Sequence, residues 1–317
     1  MAAFVLPFEK PVVDLVDRVR ELRELAATDA KLAPELEQLE EKAGRLAREI
    51  FADLTPMQKV MISRHPNRPY TIDYVQRLFT DWVELHGDRR FADDASIVAG
   101  VGRYHDRSVV VVGHQKGRGT KENLARNFGM PRPEGYRKAI RMYELADRFG
   151  LPILTFIDTP GAYPGIDAEE RGQSEAIGAA LAAMTKVKVP IVASIIGEGG
   201  SGGALALGVA NRVLVLEFGC YSVISPEGCA GILWKDASRA ADAAEQLKMT
   251  APDLLRFGVV DAIVDEPPGG AHRDYDEAAR RLDAKLHPIF ASLDALDAVA
   301  LKQDRYDRFR KLGAVSG

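Results

Sequence analysis

A series of short, almost unbroken apolar runs constrains this chain most: SIVAGV (96–101), SVVVVG (108–113), PILTFID (152–158), PIVASII (190–196), RVLVLEF (212–218) and VVDAIV (259–264). A strand with one wet face alternates apolar and polar residues, so runs without alternation predict strands covered on both faces. The stretches between them carry helical periodicity. Over Pro133–Phe149, Tyr136, Ile140, Tyr143 and Ala146 share one face and Gly150 supplies the stop. A second helix begins near Asp167, with Ile177, Leu181 and Met184 on its inner side. Strands alternating with helices predict an α/β fold.

One arrangement occurs three times. VVVVG leads into HQKGRG, LTFID into TPGAYPG, and VASII into GEGGSGG, each followed by a helical pattern. Loops at the carboxyl ends of such strands are where α/β proteins bind ligands. Three glycine-bearing loops at equivalent places predict one shared pocket.

GEGGSGG (197–203) is compatible with three chemistries. Gly197, Gly199 and Gly202 match G-x-G-x-x-G, with Glu217 twenty residues on at a strand end, the spacing of a dinucleotide fingerprint. Gly199–Gly203 also match G-x-S-x-G, with Asp261 or Asp265 and then His272 following in hydrolase order around Ser201. Third, a glycine pair at a helix start leaves backbone N–H groups unpaired, and no Cβ blocks an oxyanion from reaching them. Close helix–strand packing explains the same glycines without any ligand. The pattern alone does not separate these readings.

The neighbouring motifs narrow the choice. IDTPGAYPG (157–165) has the D-T-P-G of nucleotide switch loops, but G-x-x-x-x-G-K-[ST] occurs nowhere in the chain, which disfavours a P-loop NTPase. Its prolines and glycines predict a stiff, preshaped loop, with Asp158 as a turn-forming side chain. The segment from His114 to Arg141 holds Lys116, Arg118, Lys121, Arg126, Arg132, Arg137, Lys138 and Arg141, a basic cluster suited to phosphates or carboxylates, or to a solvated face. His114, ending a buried strand, reads as structural. Ser225-Pro226 reads as a helix start with Ser225 as N-cap. Cys229 has no histidine close in sequence and is a poor nucleophile candidate.

The first fifty residues differ. Val12, Leu15, Val19 and Leu22, then Leu36, Leu39, Ala43, Leu46 and Ile50, recur at helical spacing around ATDAKLAPE. This predicts a helical hairpin with an apolar seam, packed on the main domain or on another subunit. Across 317 residues the net charge is -4, which argues against an extensive nucleic-acid-binding surface. Two cysteines exclude a four-cysteine zinc site within the chain, and the six histidines are scattered, so no metal is expected. The start has no basic n-region, and no apolar run approaches a membrane span, which together predict a cytoplasmic protein.

The segments GHQKGR, TKEN, NFGMPRPEGYRKA, TFIDTPGAYPG, DAEERGQSEAI, IGEGGSGGALALGV, YSVISPEGCA and ILWKDA, taken in order, resemble the carboxyltransferase α-subunit family of bacterial acetyl-CoA carboxylase. The likeness runs nearly the whole length. It implies a crotonase-like (ClpP/crotonase) spiral of β-β-α units, divided as a helical hairpin over 1–55, a carboxyltransferase domain over 56–295 and a helical tail over 296–317. It implies transfer of a carboxyl group from carboxybiotin, delivered by the biotin carboxyl carrier protein, to acetyl-CoA. The product is malonyl-CoA for fatty acid synthesis. Partners implied are a carboxyltransferase β subunit in an α2β2 assembly, carrying any zinc, and biotin carboxylase, with ATP entering only at the level of the whole complex. Matched residue by residue, the oxyanion pair for biotin falls on Gly202 and Gly203. Gly199, Gly200, Ser201, Thr159, Pro160, Gly161, Ala162, Tyr163, Lys116 and Arg118 are the further substrate-binding candidates. A stand-alone crotonase-type acyl-CoA hydratase or thioesterase is the competing expectation.

Overall fold

Four consecutive valines show how the sheet is built. In the computed structural model, which describes residues 4–313, Val110 and Val112 join one buried cluster while Val109 and Val111 join a second on the opposite face. The period-two pleat divides the next strands in the same way: Ile153 and Ile157 from Leu154 and Phe156, and Ile191, Ala193 and Ile195 from Val192 and Ile196. Each fully buried side chain of this size contributes roughly 1.5–3 kcal/mol. The unbroken apolar runs therefore feed two cores at once.

The strands are β1 (Thr80–Glu84), β2 (Ile97–Tyr104), β3 (Arg107–His114), β4 (Ile153–Thr159), β5 (Ile191–Gly200), β6 (Arg212–Leu216), β7 (Cys220–Ser222) and β8 (Ala262–Val264). Their order across the sheet is β1-β2-β3-β4-β5-β6-β8, with β7 beside β5. β2 pairs antiparallel with both β1 and β3, and every pairing from β3 onward is parallel. All six apolar runs form strands. β1 (TDWVE) and β7 (CYS) went unforeseen, because the first is half-exposed and the second is only three residues long.

The helices are α1 (Lys10–Ala26), α2 (Ala33–Ala52), α3 (Pro56–Ser63), α4 (Thr71–Leu78), α5 (Thr120–Ala125), α6 (Pro133–Phe149), α7 (Ile166–Glu170), α8 (Gln173–Lys186), α9 (Ser201–Leu205), α10 (Pro226–Trp234), α11 (Ala240–Leu247), α12 (Ala251–Arg256), α13 (Tyr275–Asp294) and α14 (Ala298–Arg310). α6 and α8 cover one face of the sheet, while α4 and α13 cover the other. α6 has the predicted bounds and ends on left-handed Gly150. The helix expected from Asp167 is broken at Gly172, whose φ of 81° separates α7 from α8.

α1 and α2 form the predicted hairpin, and its seam closes on itself through Leu15, Val19 and Ala43. A separate cluster of Leu6, Phe51, Leu54, Ile62 and Phe218 fixes the base of the hairpin to the rest of the chain. At the other end, Leu301 of α14 shares a core with Leu293 of α13 and with β3–β6. Residues 1–3 of the expected hairpin segment and 314–317 of the expected tail lie outside the described residues. Among the described residues, no helix is long and apolar enough to cross a membrane.

Candidate active site

The glycine run is mostly strand. β5 continues through Gly197, Glu198, Gly199 and Gly200, and over Glu198–Gly200 it exchanges its neighbour β6 for β7. Only then does the chain turn, at Ser201 with φ 57°, into the five residues of α9. The sequence suggested a glycine-bearing loop leading into a helix. So short a helix has little macrodipole, so stabilisation of an anion here depends on individual N–H groups.

What stands against Gly200 and Gly203 is backbone. A Cβ at Gly200 would lie 2.2 Å from the Pro160 carbonyl oxygen, and one at Gly203 would lie 2.7 Å from the Ala162 nitrogen and from the Gly161 carbonyl carbon. Gly199 faces the Tyr221 ring and Gly197 the Asp158 carboxylate, each too close for a methyl group. Gly202 differs, since a Cβ there would meet only Ile177 at 3.6 Å, an ordinary contact. TPGAYPG is fitted against this run. Thr159 Oγ1 accepts from the Gly161 N–H at 3.1 Å and donates to the Gly161 oxygen at 2.8 Å. Tyr163 N–H bonds Pro131 O at 3.0 Å, and the Arg132 guanidinium lies 4.5 Å over the Tyr163 ring. The two loops are thus interlocked, which brings Thr159, Pro160, Gly161 and Ala162 beside Gly200, Ser201 and Gly203. Among the described residues, the Gly202 and Gly203 amides donate to no protein acceptor. Gly202 is half-buried and Gly203 buried.

The charged candidates are tied down. Lys116 Nζ bonds Asp158 Oδ1 at 2.6 Å. Arg118 bonds Asp73, Tyr275 and the Arg68 carbonyl and stacks over Tyr70. Asp158 is not the turn-former the sequence suggested. It ends buried β4 and receives both Lys116 and the Glu198 N–H, the latter at 3.0 Å. Glu198 in turn holds Arg64, which reaches on to Glu227 at the start of α10. Sequence reasoning missed this chain of ion pairs. Its signal was present, because a charge closing an apolar strand (PILTFID) or set inside a glycine run (GEGG) needs a partner when buried.

The other two chemistries proposed for the glycine run are not assembled. Gly197–Gly200 are extended strand rather than a tight turn, and Glu217 accepts from the Glu266 N–H at 3.0 Å, so the dinucleotide fingerprint fails. Ser201 does have the positive φ of a nucleophile elbow. His272, however, bonds Glu9 and stacks on His65, and Asp261 caps Val213 and pairs with Arg308. His114 is fully buried, and burial, then Lys116, depresses its ring to about 3, so it stays neutral as the sequence implied. Burial pushes the Cys220 thiol up to about 12, which makes it inert. Ser225 caps α10 as expected, accepting from the Gly228 N–H at 3.1 Å.

Next to Ser201 lies a shallow cavity of about 340 Å³ floored by Tyr221, Leu254 and Val259 and rimmed by Leu205, Val223 and Phe257. The rim residues are exposed, Val223 by 78%. An apolar rim beside a site made of amides marks a surface suited to a partner. The larger groove, about 800 Å³ between the end of α8 and α14, lies beside Val209 before β6, at the amino-terminal end of that strand.

Sheet order, a β5 that splits toward β7, and glycine-bearing loops at the carboxyl ends of β3–β5 define a crotonase-like fold. Transcarboxylase 12S, solved with methylmalonyl-CoA and methylmalonic acid bound, matches with a TM-score of 0.54 at 20% identity over 69% of this chain and 42% of its own. A Pseudomonas malonate decarboxylase hetero-tetramer in complex with coenzyme A matches with a TM-score of 0.56 at 18% identity, over 70% and 89%. The chain belongs to the acetyl co-enzyme A carboxylase carboxyltransferase-like family, whose model matches residues 5–313. It is therefore a carboxyl-transferring enzyme. Relatives named acetyl-coenzyme A carboxylase carboxyl transferase subunit alpha include one from Sorangium cellulosum (strain So ce56), 74% identical over the full length of both chains. Another, from Thermus thermophilus, is 57% identical over 98% of each.

Proposed function

We propose that this chain is the α subunit of an acetyl-CoA carboxylase carboxyltransferase, and that its Gly202 and Gly203 amides bind the ureido oxygen of biotin. The observation carrying this is the pair of N–H donors in the first turn of α9 that have no protein acceptor among the described residues. When the carboxyl group leaves carboxybiotin, negative charge collects on that oxygen, and donors fixed beforehand stabilise it without reorganisation. Thr159–Tyr163 hold the donors in place and wall the pocket. Carboxybiotin arrives on a carrier protein charged by biotin carboxylase; its N–carboxyl bond breaks as the acetyl-CoA methyl carbon forms the new C–C bond, the methyl proton passes to the freed biotin nitrogen, and malonyl-CoA leaves.

A second oxyanion forms on the thioester, and this chain offers one glycine pair. TPGAYPG is a weaker source of donors because proline has no N–H. The second donor set, any zinc, and most of the coenzyme A contacts are assigned to a β subunit seated on the Leu205–Val223–Phe257 rim, in an α2β2 assembly. A stand-alone hydratase or thioesterase needs an acid or base at the glycine pair. Here Glu198 is paired with Arg64, Asp158 with Lys116, and His114 is buried.

The purified chain should decarboxylate no malonyl-CoA in the presence of biotin, and adding the β subunit should restore the reaction. Full turnover from this chain alone, with β excluded by mass spectrometry, would refute the assignment.

A further inference from the structure

We infer that Lys116 and Asp158 form a positioning pair for the carboxyl-transfer site, holding the glycine strand in place rather than touching substrate. This rests on the assignment of the Gly202 and Gly203 amides above. Three strand ends meet at one carboxylate oxygen. Lys116 follows β3 by two residues, Asp158 lies in β4, and Glu198 lies in β5. Asp158 Oδ1 accepts from Lys116 Nζ at 2.6 Å and from the Glu198 N–H at 3.0 Å.

The carboxylate lies flush against the glycine run, since a Cβ at Gly197 would be 2.5 Å from the same Oδ1. The lysine is equally confined. Its side chain is 14% exposed, and a Cβ at Gly129 would lie 2.6 Å from its Cγ. Lys116 therefore has no slack with which to follow a ligand.

From Asp158 the geometry reaches both walls of the site. Thr159, the next residue, pairs with Gly199 of β5 and also cradles Gly161, and Gly161 backs Gly203. The charge balance matters as much. Asp158 is 2% exposed, and without Lys116 it would be a buried carboxylate beside a strand that leads directly into the amides that must receive negative charge. Lys116 cancels that charge and fixes the oxygen that anchors the strand.

The test is a double-mutant cycle on the α chain assembled with its β subunit. Lys116→Met should lower kcat for malonyl-CoA decarboxylation with biotin by about 10–100-fold, the scale of a small misplacement at a reacting centre. The KM for malonyl-CoA should change by less than about 3-fold. Lys116→Met combined with Asp158→Asn should recover most of the loss, because neither partner is then left as a buried unpaired charge. In the full-length α chain labelled with ¹⁵N-glycine, the Gly197, Gly202 and Gly203 amide resonances should move in Lys116→Met and return in the double variant. Circular dichroism and co-purification with β establish that the variants are folded.

A Lys116→Met enzyme whose kcat holds while the KM for malonyl-CoA rises tenfold would overturn the inference in favour of a substrate contact. Unmoved glycine resonances would overturn it as well. Moved resonances in a complex that transfers no carboxyl group would support the pair and fault only the proposed function.

Discussion

At the scale of single residues, the glycines of GEGGSGG divide into four whose surroundings leave no room for a Cβ and one, Gly202, whose surroundings do. Both substitutions keep the N–H, but Gly203→Ala forces a methyl group into Gly161 and Ala162, whereas Gly202→Ala makes only an ordinary contact with Ile177. Gly203→Ala should therefore destabilise the chain by about 1–3 kcal/mol, the range for overpacking. It should also lower kcat in the α–β complex by at least 10²-fold, comparable to losing one oxyanion donor. Gly202→Ala should stay within a few-fold of wild type in both stability and turnover. Thermal unfolding beside steady-state kinetics checks both, and equal losses from the two substitutions would show that steric fit does not distinguish them. The run was legible in the sequence as a site because no side chain is tolerated along most of it. Its cause was not legible, because the groups that exclude those side chains come from elsewhere in the chain: TPGAYPG against Gly200 and Gly203, Asp158 against Gly197 and Tyr221 against Gly199. Asp158 was misread for the same reason, since its partners Lys116 and Glu198 come from two other strands.

Among the elements, the hairpin was read correctly as helical, and its attachment is the part the sequence concealed. Glu9, just before α1, is fully buried and accepts from Leu6 N–H at 2.9 Å, His272 Nε2 at 2.8 Å and Arg273 at 3.3 Å. His65 stacks on His272 with ring centroids 4.0 Å apart. The Asn67 N–H donates to His65 Nδ1, which leaves that ring's proton on Nε2 and closes this nitrogen to a metal ion. Burial, then the neighbouring His272, depresses His65 from 6.5 to about 4. Burial also lowers His272, against the opposing pull of Glu9 and with Arg273 and Arg68 adding to the shift. Burial pushes Glu9 up, but the His272 hydrogen bond, the Leu6 amide and the charges of His272 and Arg273 outweigh it and hold the carboxyl low. All three groups bind protons more readily once released. Their contribution to stability is therefore complete above about pH 6.5 and is lost as pH falls toward about 4. Hydrogen exchange over residues 6–19 should accelerate through that window while the sheet remains protected, and His272→Gln should flatten the dependence. An unchanged acid profile in that variant would remove this role from the cluster.

For the molecule as a whole, the alternation of apolar runs and helices made the fold class and six of eight strands readable, because two-sided burial leaves a mark in composition. The closure of the sheet did not leave one. α14 is held by Arg305, a buried cation that donates to the carbonyls of Met184, Val187 and Val189 and to Asn211 Oδ1, with its nearest carboxylates outside hydrogen-bond reach. Burial draws its guanidinium down to about 10, still charged at neutral pH. Arg305→Met would strip that donor from three buried carbonyls and leave Asn211 Oδ1 with the Ile191 N–H alone, and should cost ~3 kcal/mol or more, seen as a lower Tm for the entire chain. If the Tm holds and only α14 frays, the tail is an accessory. The route of β5 has a last consequence, for inhibition. Through Gly200 this strand is core, and two residues later it is the floor of the site, so a compound that reads only main-chain amides there meets a surface with almost no replaceable atoms. Resistance by substitution at Gly200 or Gly203 would carry a folding defect with it. Escape would have to arise at Gly202 or at the exposed rim of Leu205, Val223 and Phe257.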